Sequence, residues 1–271
     1  MTMLRVPTET IMLGASAAGW ALLVLGGPTT LSLPDLCTGR LIASIPSGAE
    51  LTYALAWLSP SALTASWALM VVAMMLPLVG SPLAHVRNRS FTKDRASAIL
   101  AFISGYLAIW MVGGVVLVGF SLLARLSLTK PSLPALTAFT LAVVWQVTPW
   151  KQIALNRCHI RPPLAVFGRG PLRAGLRYGM WHGLWCVVSC APIMLVALLA
   201  ATHGDAIMVL AAIWIWAERI EPPRAPSRGL ILPRRAVHAL FHHMARSFRH
   251  RMPGAHKLVL AAPRDGETGA N

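Results

Sequence analysis

Acidic side chains are scarce in this sequence. Nine Asp and Glu face 24 Lys and Arg across 271 residues, giving a formal net charge of +15. Charge of either sign is thin, at 12% of residues against about 25% in an ordinary soluble domain. With 56% hydrophobic residues, that balance excludes a typical soluble protein and indicates a membrane protein. Four cysteines, Cys37, Cys158, Cys186 and Cys190, are too few for a disulfide framework. There is no Gly-rich GxxxxGK[ST] loop, so ATP hydrolysis is not expected. Neither a Ser-His-Asp set nor a carboxylate pair can be assembled, so an enzyme is not expected. No Asp, Glu, Lys or Arg lies mid-way along an apolar run, where proton-coupled transporters keep ionisable groups.

What the chain has in quantity is long apolar runs. Residues 10–31 follow Arg5 as a signal peptide would, but the run continues past Ala15-Ser16-Ala17 and reads as an uncleaved first helix. Residues 32–50 form a polar loop in which Cys37 has no assigned role. A second helix is expected over about 61–83, kinked at Pro77, whose ring should free backbone carbonyls. It carries Met70, Met74 and Met75. A third spans 96–124 and holds Gly105, Gly113, Gly114 and Gly119 for close helix contacts. A fourth is expected from about Pro131 to Trp150, with its tryptophans and Lys151 at a membrane interface and Gln146 and Thr148 bonding to neighbours. The fifth is Tyr178 to Ala201, and a short sixth covers 206–217.

Basic residues cluster in the loops 85–95 and 151–177 and in the tail after Glu221, which holds nine Lys and Arg. The positive-inside rule puts all three on the cytoplasmic side, and six helices with both termini cytoplasmic satisfy it. The expected fold is therefore an all-α membrane bundle of about six helices. Residues 1–221 form the transmembrane domain and 222–271 a basic, partly disordered tail. In the tail Val237, Leu240, Phe241, Met244 and Phe248 recur at helical spacing among Arg and His, which suits an amphipathic helix on anionic lipid headgroups. The distribution of charge fits lipid better than nucleic acid.

The chemistry-bearing stretch is the fifth helix. His182, Cys186, Cys190 and Met194 follow one another at intervals of four and so share a face. Imidazole, thiolate and thioether are the ligands that soft or borderline metals such as Cu(I) and Zn(II) prefer. The same residues also suit packing, since free cysteine behaves as a small buried hydrophobe. Met70 and Met74 on the second helix would complete a metal shell if that helix packs on the fifth. Cys158-His159 lies in the basic loop that leads to His182.

Several segments in order resemble a known group. They are Ala73-Met74-Met75-Leu76-Pro77, Gly105-Tyr106 with Trp110, Gln146-Val147-Thr148-Pro149-Trp150-Lys151, Cys158 before Arg161-Pro162, His182-Gly183 with Cys186 and Cys190, Met194, and Glu218-Arg219. Over residues 10–221 the chain resembles the predicted metal-binding integral membrane proteins of domain of unknown function 2182. The resemblance implies a multi-pass protein of the bacterial inner membrane. It implies metal binding at Cys186, Cys190 and Met194, with Met74, Met75 and Cys158 as contributors. Departures are Ser189 where the group has a second adjacent cysteine, no cysteine shortly before Cys158, and a basic tail in place of a further helix.

Two functions follow. One is binding or translocation of a soft metal, copper above all, at Cys186 and Cys190 with His182 and Met194. The other is a non-catalytic subunit or assembly factor contacting other membrane proteins. Thiol redox exchange is less favoured: one helical turn sets Cα atoms about 6 Å apart, near the upper end of disulfide range, and an apolar setting slows exchange.

Overall fold

The structure is a computed structural model describing residues 8–25, 60–128, 130, 132–165, 167, 170–200, 204–229, 233–235 and 238. Cys37, the polar loop at 32–50 and most of the tail, including the expected amphipathic helix, lie outside the described residues. Among the described residues all regular structure is helical. The helices are α1 (Thr8–Leu25), α2 (Pro60–Met75), α3 (Gly80–Arg89), α4 (Arg95–Ser127), α5 (Leu133–Gln146), α6 (Pro149–Cys158), α7 (Gly170–Leu199) and α8 (Gly204–Ile220). A 3₁₀ turn, Leu76–Val79, joins α2 to α3. Among the described residues three stretches are long and apolar enough to cross a membrane: Leu63–Arg89, Arg95–Ser127 and Gly170–Leu199. The bent pair α5–α6 would make a fourth, while α1 contributes only a shorter apolar stretch, Met12–Leu23.

Helix α7 is the hub. Its largest interface is with α4, and α5, α6 and α8 also pack on it. Glycines set the closeness of the α4–α7 contact. A Cβ built on Gly179 would sit 2.0 Å from the Phe102 carbonyl oxygen, and one on Gly175 2.5 Å from that of Ala98. From the other side, a Cβ on Gly105 would meet the Leu176 carbonyl oxygen at 2.5 Å. These backbones touch, as small residues allow between membrane helices. Gly175, Gly179 and Gly183 recur every four residues, a row that the sequence reading passed over while noting the glycines of α4. Gly114 has a different partner. It leaves room for the Trp67 indole, whose Nε1 donates to the Trp110 carbonyl at 2.8 Å.

Pro77 acts as expected. Lacking an N–H, it ends α2 in the 3₁₀ turn and leaves the Ala73 carbonyl without its helical donor. Ser16 of α1 donates to that oxygen at 2.6 Å. The neighbouring Met74 carbonyl accepts from Trp216 Nε1 of α8, also at 2.6 Å. The proline therefore ties α2 to both α1 and α8.

The fourth helix is not continuous. It breaks at Val147-Thr148, and α6 leaves at 74° to α5. Pro149 disfavours the helical conformation in the residue before it, and Thr148 is extended at φ −84°, ψ 145°. The Thr148 hydroxyl donates to Trp145 O at 2.8 Å and accepts from Lys151 N at 3.4 Å, closing one helix and capping the next. Much of the expected basic loop is thus helical: α6 reaches Cys158 and α7 begins at Gly170.

Gly179→Ala should lower stability in detergent by about 1–3 kcal/mol, because the methyl meets backbone rather than a movable side chain. Gly119→Ala, with open space around the new methyl, should stay within about 1 kcal/mol of wild type. Melting temperatures of the two purified variants decide this; equal losses would show that glycine contacts do not set the α4–α7 distance.

Candidate metal site

The expected stripe of α7 faces inward along its whole length. His182, Cys186, Cys190 and Met194 are each 2% exposed or less. His182, Cys186 and Cys190 lie seven residues beyond Gly175, Gly179 and Gly183, which returns them to nearly the same face. The contact that presses α7 against α4 therefore also buries the sulfurs. Cys186 Sγ lies 3.4 Å from the Tyr106 hydroxyl of α4. The thiols of Cys186 and Cys190 interact with each other. Ser189 Oγ donates to the Cys186 carbonyl at 2.9 Å and lies 3.5 Å from Cys190 Sγ. Cys158, at the end of α6, is also buried, and its thiol meets the side chains of Ser189 and Arg219. All three described cysteines are free thiols.

His182 sits in a collar of rings, with centroids of Phe102, Tyr106 and Tyr178 at 6.2, 5.9 and 6.1 Å. Both its ring nitrogens are buried and neither has a hydrogen-bond partner. A buried imidazole ordinarily satisfies at least one nitrogen. Beside it lies a cavity of about 100 Å³, bordered by Cys158, His159, Arg161, Tyr178, His182 and Arg219 among others. Sequence spacing put Cys158 and His182 on separate elements, and this cavity brings them together.

The methionines of α2 are placed differently. Met70, Met74 and Met75 are fully buried in the same core. However, the principal neighbours of α2 are α1, the 3₁₀ turn and α4, not α7. The direct packing of the second helix on the fifth, on which a completed shell depended, is not among the main contacts. Among the described residues no three His, Cys, Asp or Glu side chains converge closely enough to hold an ion by themselves. The donor set on α7 is sulfur-rich: two thiols, a thioether and an imidazole. It fits a soft univalent ion, which accepts thiolate and thioether, better than a tetrahedral Zn(II) site.

A second polar cluster braces the broken helix. Lys151, expected at a membrane interface, is 3% exposed and pairs with Glu218 of α8 at 2.7 Å. Gln146 accepts from Lys151 Nζ and donates to Glu218 Oε1 at 2.8 Å, and Trp214 Nε1 donates to the same oxygen at 2.8 Å. The carboxylate partner, 67 positions away, was invisible in the local sequence. Arg219, the next residue, turns to the other side and reaches Ser189 Oγ at 3.5 Å. The Gln-x-Thr-Pro-x-Lys and Glu-Arg segments are thus one structural unit lying against the thiols.

The fold and site define a helical bundle with an apolar exterior and buried sulfur donors. A family model described as PpoB2, copper chaperone, matches residues 64–231, and the chain belongs to this family. The matched region contains every candidate ligand named above. No curated protein and no solved structure gives a significant match.

Lys151→Met should lose about 3–5 kcal/mol of stability, since it leaves the Glu218 carboxylate buried without a cation. The double variant Lys151→Met/Glu218→Leu should regain at least half of that loss. Thermal unfolding of the two proteins side by side tests the pair; a double variant no more stable than the single one would assign the loss to packing.

Proposed function

We propose that this chain is a membrane-embedded, non-enzymatic copper-binding protein that holds Cu(I) at Cys186 and Cys190. The observation that carries the reading is the burial of these two thiols one turn apart on one face of α7, in line with Met194 and His182. Membership of a family described as copper chaperones supports the choice of metal. Two thiolates satisfy Cu(I), and burial would protect the ion from water and oxidants. Met194 is the thioether one turn further along, and His182 and Cys158 border the cavity next to the pair. Met70, Met74 and Met75 supply a soft, polarisable core rather than first ligands.

The membrane setting rests on the exterior. Leu100, Val112, Val115, Phe120 and Leu123 of α4 and Leu136, Phe139, Leu141 and Val144 of α5 are all more than half exposed. Apolar patches of that extent need cover, and lipid supplies it. In this reading α1 and α8 join the three long helices and the bent pair to give six segments. Both termini, the basic loops and the tail then face the cytoplasm of a bacterial inner membrane, with the tail on anionic headgroups. An assembly role in a larger membrane complex is compatible with the same site, because a chaperone must meet the protein it loads.

The test is Cu(I) competition against a colorimetric chelator, using wild type, Cys186→Ser/Cys190→Ser and Cys158→Ser. Wild type should bind one ion tightly, and the double variant should lose at least a hundredfold in affinity. Cys158→Ser should fall between them. Equal, weak binding by all three would remove the copper reading and leave the structural-subunit alternative.

A further inference from the structure

The copper reading leaves one part-buried cation unexplained, the guanidinium of Arg219. Its Nε is enclosed without a hydrogen-bond acceptor. Its terminal nitrogen reaches Ser189 Oγ at 3.5 Å, and that oxygen lies 3.5 Å from Cys190 Sγ. The Cys158 thiol is beside it. The adjacent carboxylate, Glu218, is engaged by Lys151, Gln146 and Trp214. Among the described residues Arg219 forms no salt bridge, and no Asp or Glu borders the cavity that it lines. A part-buried cation without an anion is costly to maintain, so occupation of the site should bring a net negative charge to it.

Resting on the copper reading, we propose that Arg219 is the charge-balancing residue of the thiol site and biases that site toward univalent over divalent ions. When two thiols take up a univalent ion they release two protons to solvent, and the resulting bis-thiolate complex carries one negative charge. Together with the guanidinium the site is neutral. A divalent ion on the same two thiolates gives a neutral complex and leaves the guanidinium unmatched. In an interior of low dielectric that difference favours the univalent ion. Arg219 touches the thiol cluster through Ser189 and Cys158 and is not itself a ligand, so its role is electrostatic positioning.

The probes are Ag(I), an air-stable univalent ion, and Cd(II), a thiol-seeking divalent one. Affinities are measured by competition on the purified full chain. Arg219→Gln should lower Ag(I) affinity at least tenfold and leave Cd(II) binding unchanged or tighter. Arg219→Lys, which keeps the charge, should retain most of the Ag(I) affinity. Ser189→Asp covers the case in which the glutamine variant does not fold. It keeps Arg219 but gives it a carboxylate of its own, and it too should lower Ag(I) affinity about tenfold. Equal loss of both ions in Arg219→Gln would make the residue merely structural, and unchanged Ag(I) binding in that variant or in Ser189→Asp would overturn the proposal alone. A wild type that binds neither ion would overturn the copper reading and this inference with it.

Discussion

The contact on which the rest depends is the backbone-to-backbone approach of α4 and α7. Carbonyl oxygens of Ala98 and Phe102 occupy the space where side chains at 175 and 179 would stand. In the lipid setting proposed above, helices have little hydrophobic reason to associate, so shape fit carries the interface. It also fixes the rotation of α7 about its own axis. Once Gly175, Gly179 and Gly183 face α4, residues seven positions further on must face nearly the same way. Those residues are His182, Cys186 and Cys190. The burial of the thiols is therefore a consequence of helix packing and does not depend on a bound ion.

The far end of the site is fixed by other means. Helices α5 and α6 meet at 74° because Pro149 forbids a continuous helix, and such a corner has no packing preference that sets its angle. The buried Lys151–Glu218 pair, with Gln146 and Trp214 around it, supplies the tie to α8. Successive residues on a helix point about 100° apart, so Glu218 and Arg219 diverge. One braces the corner and the other turns to the sulfurs. Removing the brace would move Cys158 on α6 and Arg219 on α8 together, so stability and site geometry are linked through one ion pair.

What could be read beforehand divides along the same line. The stripe on α7 was legible because a period of four within one helix is a local fact, and the structure buries all four members. The kink at Pro77 was legible for the same reason, including the freed carbonyls that Ser16 and Trp216 now occupy. Long-range pairings were not. Lys151 beside Trp150 looked like an interfacial anchor because its carboxylate partner is remote in sequence. The fourth helix, expected to run from about Pro131 to Trp150, instead breaks before Pro149, where a second helix begins at once at 74°. Met70 and Met74 were expected to meet the thiols through direct packing of the second helix on the fifth, and they do share one core with Cys186 and Cys190. The glycines instead gave α7 to α4, and α2 leans on α1 and α4.

In the proposed copper reading an ion that is taken up must also be released, and the distribution of donors bears on that requirement. Cys186, Cys190 and Met194 are enclosed among packed helices, whereas Cys158 and His182 border a cavity. Sulfur and nitrogen donors therefore run from that cavity inward to the sealed pair. Ligand exchange along such a row can proceed one donor at a time, so an ion need never be stripped of all its ligands. His182 suits an intermediate step because neither of its nitrogens is committed to a hydrogen bond that would have to break first. Cys158 suits the outer step because it sits at the last residue of α6, the helix set by the Pro149 corner. In that reading the core of the bundle would hold the ion and the cavity end of the row would exchange it.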